Sequence, residues 1–303
     1  MPNLRQSEEE RRLRDAFARV AVWKAGGQRA PHKPLLLLLA LGRIQRGESR
    51  LVEFTAVEKH LRDLLRAFGP ARKSYHPEYP FWHLQSDKLW EVPGGKALRP
   101  RVGHDSPPVS EMRKVSGGLP EDVDRLLRDR PDLLRDVARE ILDEHFEPSF
   151  QDDLLARVGL SLEPTATSER RARNAQFPLL LLRAYGHRCA ICGLDLRLDG
   201  EAAAIEAAHV RWHSHGGPDV VENGMALCPL HHKAFDLGAL GLTDDRRVLV
   251  SQQVQGSEAV EEAFGRFHLR PLIGPQKGQP PVLVDHRGWH YENVFRQPGR
   301  PAA

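Results

Sequence analysis

Two features are scarce in this sequence: cysteine and long apolar runs. Only three cysteines occur in 303 residues, and two of them form the pair Cys189-x-x-Cys192. An odd count with one close pair argues against a disulfide framework and favours a reduced metal site. The longest apolar run, residues 34–41, is far shorter than the roughly 18 residues needed to cross a bilayer, and the Arg- and Glu-rich N-terminus has no signal-peptide core. We therefore expect a cytoplasmic protein with no membrane partner.

The net charge is also small, at +3, but it is unevenly distributed. Residues 11–73 hold 15 Lys or Arg against 5 Asp or Glu, whereas residues 121–163 hold 6 against 13. The positive charge is therefore concentrated where a polyanion such as DNA would bind. Ordinary solvated faces of basic helices would give the same pattern, so charge alone leaves both interpretations open.

Helical periodicity dominates the first half of the chain. It predicts helices over residues 8–24 with a stop at Gly26-Gly27, over 35–44 with Pro34 in the first turn, over 55–68, and in the acidic stretch that ends near 150. Strand patterns are shorter: one at 51–55, and a hairpin of 79–84 with 89–92 around the polar turn 85–88.

The length fits two domains. We place a first domain with an acidic helical extension at residues 1–160. A linker of Thr, Ser, Glu and Arg composition follows at 161–175, and a second domain with a C-terminal extension occupies 176–303.

The most specific motif is Cys189-Ala-Ile-Cys192 followed by Cys228-Pro-Leu-His231. Thiolate and imidazole ligands in two closely spaced pairs suit tetrahedral zinc, because each short loop turns both of its ligands toward one ion. Four protein ligands leave no position for water. The sequence therefore predicts a structural Zn²⁺ that stabilises a small domain.

Further polar residues lie between these pairs and directly after them: Glu206-Ala-Ala-His209, Asn223-Gly224 and His232. Their order resembles the HNH nucleases of the ββα-metal class, over residues 185–237. The resemblance implies that His209 is the general base, that Asn223 holds the loop bearing this base, and that His232 binds a catalytic metal ion.

Two positions depart from the commonest HNH pattern. His231 stands where a fourth cysteine is usual, which leaves the zinc site intact, and Ala208 stands where many relatives carry an acidic metal ligand. We expect Glu206 to supply a carboxylate to the metal in place of that acid.

Phosphodiester hydrolysis explains these residue types. A neutral histidine, with an ordinary pKa of about 6.5, can accept a proton from the attacking water at physiological pH. The negative charge that grows on the phosphate calls for a hard divalent cation, Mg²⁺ or Mn²⁺, with one or two protein ligands.

Two stretches of the basic region stand out: Ala30-Pro31-His32-Lys33-Pro34, and Tyr-His-Pro-Glu-Tyr-Pro-Phe-Trp-His-Leu at 75–84. Together with the downstream HNH motif, they resemble the sulfur-binding domain of type IV restriction endonucleases that cleave phosphorothioated DNA. The resemblance spans about residues 17–92.

A physical argument supports a sulfur pocket. Sulfur in place of a phosphate oxygen is larger and more weakly hydrated, so apolar surfaces can enclose it at a smaller desolvation cost. We expect His32, Tyr79 and Pro80 to form the pocket, His83 to contribute to DNA or sulfur binding, and Lys33 to hold the remaining phosphate charge. Further candidate phosphate contacts are Arg43, Arg46, Arg62, Arg66, Arg72 and Lys73.

The sequence thus predicts an α+β protein, with a mainly helical sulfur-binding-type domain that has short strands and a zinc-stapled ββα-metal HNH domain. The expected function is restriction of phosphorothioated double-stranded DNA. One alternative is an HNH endonuclease specific for unmodified or base-modified DNA, and another is a zinc-containing DNA-binding protein without cleavage. Because one HNH site cuts one strand, we also expect a homodimer on DNA.

Overall fold

A computed structural model describes residues 4–20, 24–25, 28–29, 31–69, 72–99, 105–162 and 176–301. The chain divides into two compact units, unit 1 at Met1–Glu163 and unit 2 at Pro164–Ala303. Most of the predicted linker, residues 163–175, lies outside the described residues. Within the described ranges, no helix has the length and apolar character needed to span a membrane.

Unit 1 is built mainly from helices. They are α1 (Leu4–Ala18), α2 (His32–Gln45), α3 (Phe54–Phe68), α4 (Glu78–His83), α5 (Val109–Met112), α6 (Glu121–Asp129), α7 (Pro131–His145) and α8 (Pro148–Val158). Its two-residue strands pair antiparallel, β1 (Lys24–Ala25) with β2 (Gln28–Arg29) and β3 (Val52–Glu53) with β4 (Ser116–Gly117).

Helix α2 forms the centre of this unit. Every residue from Pro34 to Gly42 is buried, as the all-round apolar sequence predicts, and α3, α4, α6, α7 and α8 pack around it. Each fully buried leucine contributes about 1.5–3 kcal/mol relative to an exposed one. The start of α2 is therefore held firmly, and this is where His32 and Lys33 lie.

Two predicted elements of unit 1 are wrong. Helix α1 ends at Ala18 rather than at residue 24, and Lys24 instead pairs with Arg29 in a short hairpin. A Gly-Gly pair signals a hairpin as well as a helix stop, although Gly26 and Gly27 themselves lie outside the described residues.

The predicted hairpin over 79–92 is the second error, because the segment forms α4 and then a 3₁₀ helix at Leu84–Asp87. Pro80 lies in the first turn of α4, where the missing N–H costs no intrahelical hydrogen bond. Phe81 and Leu84, three residues apart, are both fully buried, which is a helical and not a strand spacing. Of the adjacent aromatic residues Phe81 and Trp82, Phe81 is fully buried and Trp82 is partly exposed.

Unit 2 contains helices α9 (Gln176–Ala184), α10 (Pro229–Asp236), α11 (Glu258–Ala263) and α12 (Val284–Asn293). Its strands form three antiparallel pairs: β5 (Arg197–Leu198) with β6 (Glu201–Ala202), β7 (Glu206–His209) with β8 (Gly224–Leu227), and β9 (Leu240–Leu242) with β10 (Val248–Val250). Strands β7 and β8 followed by α10 give the expected ββα arrangement, and the predicted α+β fold class is confirmed.

Candidate nuclease and DNA-reading sites

The four predicted zinc ligands come together in unit 2. Ligand atoms of Cys189, Cys192, Cys228 and His231 all lie within 4.8 Å of one another. His231 Nδ1 lies 3.2 Å from Cys228 Sγ and 3.6 Å from Cys189 Sγ. Three sulfurs and one imidazole nitrogen at this separation are a donor set that suits tetrahedral zinc.

The ring of His231 is oriented for metal binding through Nδ1. Its Nε2 donates to the carbonyl oxygen of Ala263 at 2.9 Å, so the unprotonated nitrogen is the one that faces the sulfurs. The hydrogen bond from the Cys228 thiol lowers the pKa of the Cys189 thiol, whereas that bond and burial raise the pKa of Cys228. The cluster therefore already favours a thiolate at Cys189.

His209 ends strand β7, opposite Gly224 of β8. Its Nε2 lies 2.9 Å from Asp219 Oδ1, and its ring stacks on Phe177 of α9 with centroids 4.4 Å apart. Because a carboxylate only accepts hydrogen bonds, Nε2 carries the proton and the proton-accepting lone pair of the neutral ring is on Nδ1.

Asn223 is fully buried directly before β8, and its side chain holds the loop that follows His209. Its Nδ2 donates to the carbonyl oxygens of Arg211 (2.9 Å) and Pro218 (3.0 Å), and its Oδ1 accepts from the amide of Arg211 at 2.8 Å. These hydrogen bonds match the loop-holding role that the resemblance implies for Asn223.

His232 lies on α10 between two carboxylates. Its Nδ1 is 2.7 Å from Glu206 Oε2, and its Nε2 is 3.2 Å from Asp236 Oδ2. Burial lowers the pKa of His232, but Asp236 and Glu206 outweigh it and raise the pKa to about 10. The hydrogen bond from His232 in turn lowers the pKa of Glu206.

The two carboxylates differ in their surroundings. Asp236 is almost completely buried and also accepts a hydrogen bond from Trp212 Nε1 at 3.2 Å, whereas the side chain of Glu206 is about half exposed. Side chains alternate along a strand, so Glu206 shares a face of β7 with Ala208, the position of the missing acid. Glu206 can therefore reach a cation that enters from solvent.

Sequence reasoning missed Asp219 and Asp236. Asp236 follows His232 by four residues on α10, so the i, i+4 spacing was an available signal. Asp219 lies ten residues after His209 in a loop, and no periodic pattern links the two.

In unit 1, His32 is the first residue of α2. Burial, with smaller effects from the nearby His76 and Arg72, lowers the pKa of His32 to about 4. The imidazole is therefore neutral at physiological pH. A neutral, largely buried ring matches the apolar pocket wall expected at this position better than it matches a phosphate-binding cation.

The residues of α4 lie as follows. Pro80 is buried, and the partly exposed Tyr79 stacks on His76 with ring centroids 4.7 Å apart. Tyr79 also meets His83 edge-on at 6.1 Å, which brings together two of the predicted site residues. His76 was not singled out from the sequence.

Lys33 is paired within the protein. Its Nζ lies 2.6 Å from Asp87 Oδ2. Several of the other predicted phosphate contacts also pair with acids: Arg43 and Arg46 with Glu48, Arg62 with Glu58, and Arg66 with Asp63.

Comparison with known proteins gives two family matches. The ScoMcrA-like DNA sulfur-binding domain family matches residues 10–163, and the HNH endonuclease family matches residues 189–243. No curated protein matches the chain.

Solved structures resemble parts of the chain. The sulfur-binding domain of ScoMcrA complexed with phosphorothioated DNA is 25% identical, with a TM-score of 0.44, over 48% of this chain and 94% of that domain. The sulfur-binding domain of SprMcrA complexed with phosphorothioated DNA is 24% identical, with a TM-score of 0.42, over 51% and 96%. The type IV phosphorothioation-dependent restriction endonuclease ScoMcrA is 25% identical, with a TM-score of 0.42, over 48% of this chain and 32% of that enzyme.

The match to the sulfur-binding domain family spans half of the sequence and ends where unit 1 ends. The HNH match begins at the predicted zinc ligand Cys189 and includes β7, β8 and α10. The chain therefore belongs to the ScoMcrA-like DNA sulfur-binding domain family, and it carries an HNH endonuclease domain in the same polypeptide.

Proposed function

We propose that this protein is a modification-dependent restriction endonuclease, which binds phosphorothioated double-stranded DNA through unit 1 and hydrolyses nearby phosphodiester bonds at the HNH site. The observation that carries this proposal is the presence on one chain of a sulfur-binding family domain and an assembled ββα site. A reader and a nuclease in one polypeptide are the two parts that such an enzyme requires.

In this mechanism His209 is the general base. The hydrogen bond to Asp219 fixes the tautomer, so that Nδ1 takes the proton from the attacking water. Asp219 also stabilises the imidazolium that forms once the proton is taken. Phe177, stacked on the ring, and Asn223, through its three hydrogen bonds to the loop, limit the movement of this base.

The imidazole of His232 and the carboxylate of Glu206 form a donor set that fits a catalytic Mg²⁺ or Mn²⁺. With an ion bound, His232 Nδ1 would give up the proton that it donates to Glu206, and Nδ1 and the exposed carboxylate of Glu206 would hold the ion. Asp236 would receive the other ring N–H, as carboxylates commonly do behind metal-binding histidines. When bound, such an ion stabilises negative charge on the phosphate and on the leaving oxygen. Glu206 thereby provides the carboxylate that Ala208 lacks.

The zinc site has a structural role in this proposal. Cys189, Cys192, Cys228 and His231 would hold Zn²⁺ with no open position, and the ion would fix the start of α10.

In unit 1, the ring of His32, Tyr79 and Pro80 would enclose the sulfur, and His83 would lie at the edge of this pocket. The neutral state of His32 supports this assignment, because a weakly hydrated sulfur loses little hydration free energy when it contacts an uncharged ring. A homodimer would supply the second HNH site that a double-strand break needs.

A cleavage assay tests the function. Two duplexes of one sequence, with and without a single phosphorothioate, are incubated with the protein and Mg²⁺ or Mn²⁺, and His209→Ala is the control for contaminating nucleases. We expect cleavage only by the wild-type protein and mainly of the phosphorothioated duplex. Equal cleavage of both duplexes would favour an HNH endonuclease for unmodified DNA, and no cleavage with tight binding would favour the zinc-containing binding protein.

A further inference from the structure

The DNA-reading site of unit 1 is charge-compensated. Lys33, the lysine that we expect in this site, faces Asp87. Two nearby histidines also face carboxylates, His76 facing Glu78 at 2.9 Å and His83 facing Asp105 at 3.4 Å, and these two contacts are ion pairs only when the ring is protonated. A basic segment that binds ordinary phosphates would instead direct its cations toward solvent. The pairing of Lys33 with Asp87 instead reduces the positive charge that this site offers to a phosphate.

The pair formed by Lys33 and Asp87 is the most buried of the three. The side chains are 14% and 8% exposed, and Nζ and Oδ2 are 2.6 Å apart. Lys33 lies in the first turn of α2, and Asp87 ends the 3₁₀ helix that follows α4. The pair thus joins the two segments that hold the proposed sulfur-binding residues.

We propose that Asp87 is a specificity-determining residue of the DNA-reading site, which neutralises Lys33 and so lowers the affinity for ordinary phosphate backbones. The inference rests on the proposed function, because it concerns the discrimination between sulfur and oxygen at this site. In this proposal Asp87 acts through Lys33 and does not itself touch the sulfur.

The physical basis is the origin of nonspecific binding. Each basic group that neutralises a phosphate releases counterions and strengthens binding to any duplex, modified or not. Contact between sulfur and an apolar pocket adds binding free energy that is independent of net charge. A site with little nonspecific binding to phosphates therefore lets the sulfur contact decide which duplex is bound.

The test is a salt titration of full-length protein on the phosphorothioated and unmodified duplexes, without added divalent metal. In Asp87→Asn, Lys33 becomes available to a phosphate. We expect the slope of log K against log salt to steepen by about 0.9, which means an additional loss of affinity of about 3.5-fold between about 50 and about 200 mM salt. The preference for the phosphorothioated duplex should fall, because the added contact strengthens the binding of both duplexes.

The double variant Lys33→Gln with Asp87→Asn tests whether Asp87 neutralises Lys33 even if the single variant folds poorly. It replaces the ion pair by a neutral, hydrogen-bonding pair of similar size. If Asp87 neutralises Lys33, the double variant keeps the wild-type slope, because neither pair contributes net charge. If Lys33 contacts phosphate in the wild-type complex, the slope of the double variant becomes shallower by about 0.9, and the proposal is overturned.

Asp122→Asn is the matched control, since it removes one exposed carboxylate elsewhere in unit 1 and should leave the slope unchanged. An unchanged slope in a well-folded Asp87→Asn protein would also refute the role of Asp87. Salt slopes on the unmodified duplex test the role of Asp87, whereas the preference of the wild-type protein for the phosphorothioated duplex tests the proposed function. The two measurements can therefore fail independently.

Discussion

The neutral state of His32 predicts a measurable pH dependence of stability. Burial lowers the pKa of this residue to about 4 in the folded chain, whereas an unfolded histidine has a pKa of about 6.5. Between these two pH values the unfolded state binds more protons than the folded state. His32 therefore has little effect on the free energy of unfolding above about pH 6.5 and lowers it as the pH falls. The linkage relation gives a loss of about 1.4 kcal/mol at about pH 5.5 and about 2.5 kcal/mol at about pH 4.5, and the loss levels off at about 3.4 kcal/mol below about pH 3.

The assay is urea unfolding of the wild type and His32→Gln at a series of pH values between about 7.5 and about 4.5. Glutamine does not titrate, so His32→Gln lacks the pH-dependent loss of stability. The difference in the free energy of unfolding between the two proteins should therefore change with pH by the amounts calculated for His32. His60→Gln, at an exposed histidine of the same unit, is the control. A difference that stays constant across the whole range would mean that His32 is not held neutral by burial, and would remove its assignment as an uncharged pocket wall.

The remaining predictions concern the metal sites and the two functions. Cys192→Ser should lose the bound zinc, measured by metal analysis of dialysed protein, and should unfold unit 2 while unit 1 keeps its DNA affinity, because the lost ligand set stabilises only the nuclease domain. His209→Ala should reduce cleavage by about 10²–10⁴-fold with unchanged DNA binding, and equal loss of both would make it a binding residue. Asp219→Asn should reduce cleavage by about 10–100-fold and shift its pH profile, with recovery in Asp219→Glu; a profile of unchanged shape would exclude a role through His209. Tyr79→Ala should reduce the preference for the phosphorothioated duplex in a competition assay, with no change in the salt dependence of binding.

Features set by short, fixed spacing could be predicted from the sequence. The ligand pairs beginning at Cys189 and Cys228 follow from chain geometry, since two residues between ligands allow one loop to face one ion. The core helix α2 was equally predictable, because a run of apolar side chains on all faces has to be buried.

The hairpin over 79–92 could not be excluded in the same way. Tyr79-Pro-Phe-Trp has strand-like composition, and its helical state depends on whether Phe81 and Leu84 share a buried face. Packing against α2 and α3 decides that, and such packing overrides the local preference of a six-residue segment.

Two of the carboxylates that complete the sites, Asp87 and Asp219, were beyond prediction. Lys33 and Asp87 are 54 residues apart in the chain, and Asp219 lies in a loop ten residues after His209. A basic residue in a sequence therefore indicates a charge but not whether the fold neutralises it. The expectation that Lys33 holds a phosphate depended on that missing information.

In the proposed enzyme, helix α10 would link zinc binding to cleavage. It has only eight residues, too few to be stable alone in water, and it begins at Pro229 directly after the ligand Cys228. Adjacent residues on a helix point about 100° apart, so His231 can face the sulfurs while His232 faces Glu206. Loss of the zinc would therefore release His232 as well as His231. Cleavage should decline in parallel with zinc content during slow chelation, and a protein that retained full activity after losing its zinc would show that packing around Phe235 alone holds the helix in place.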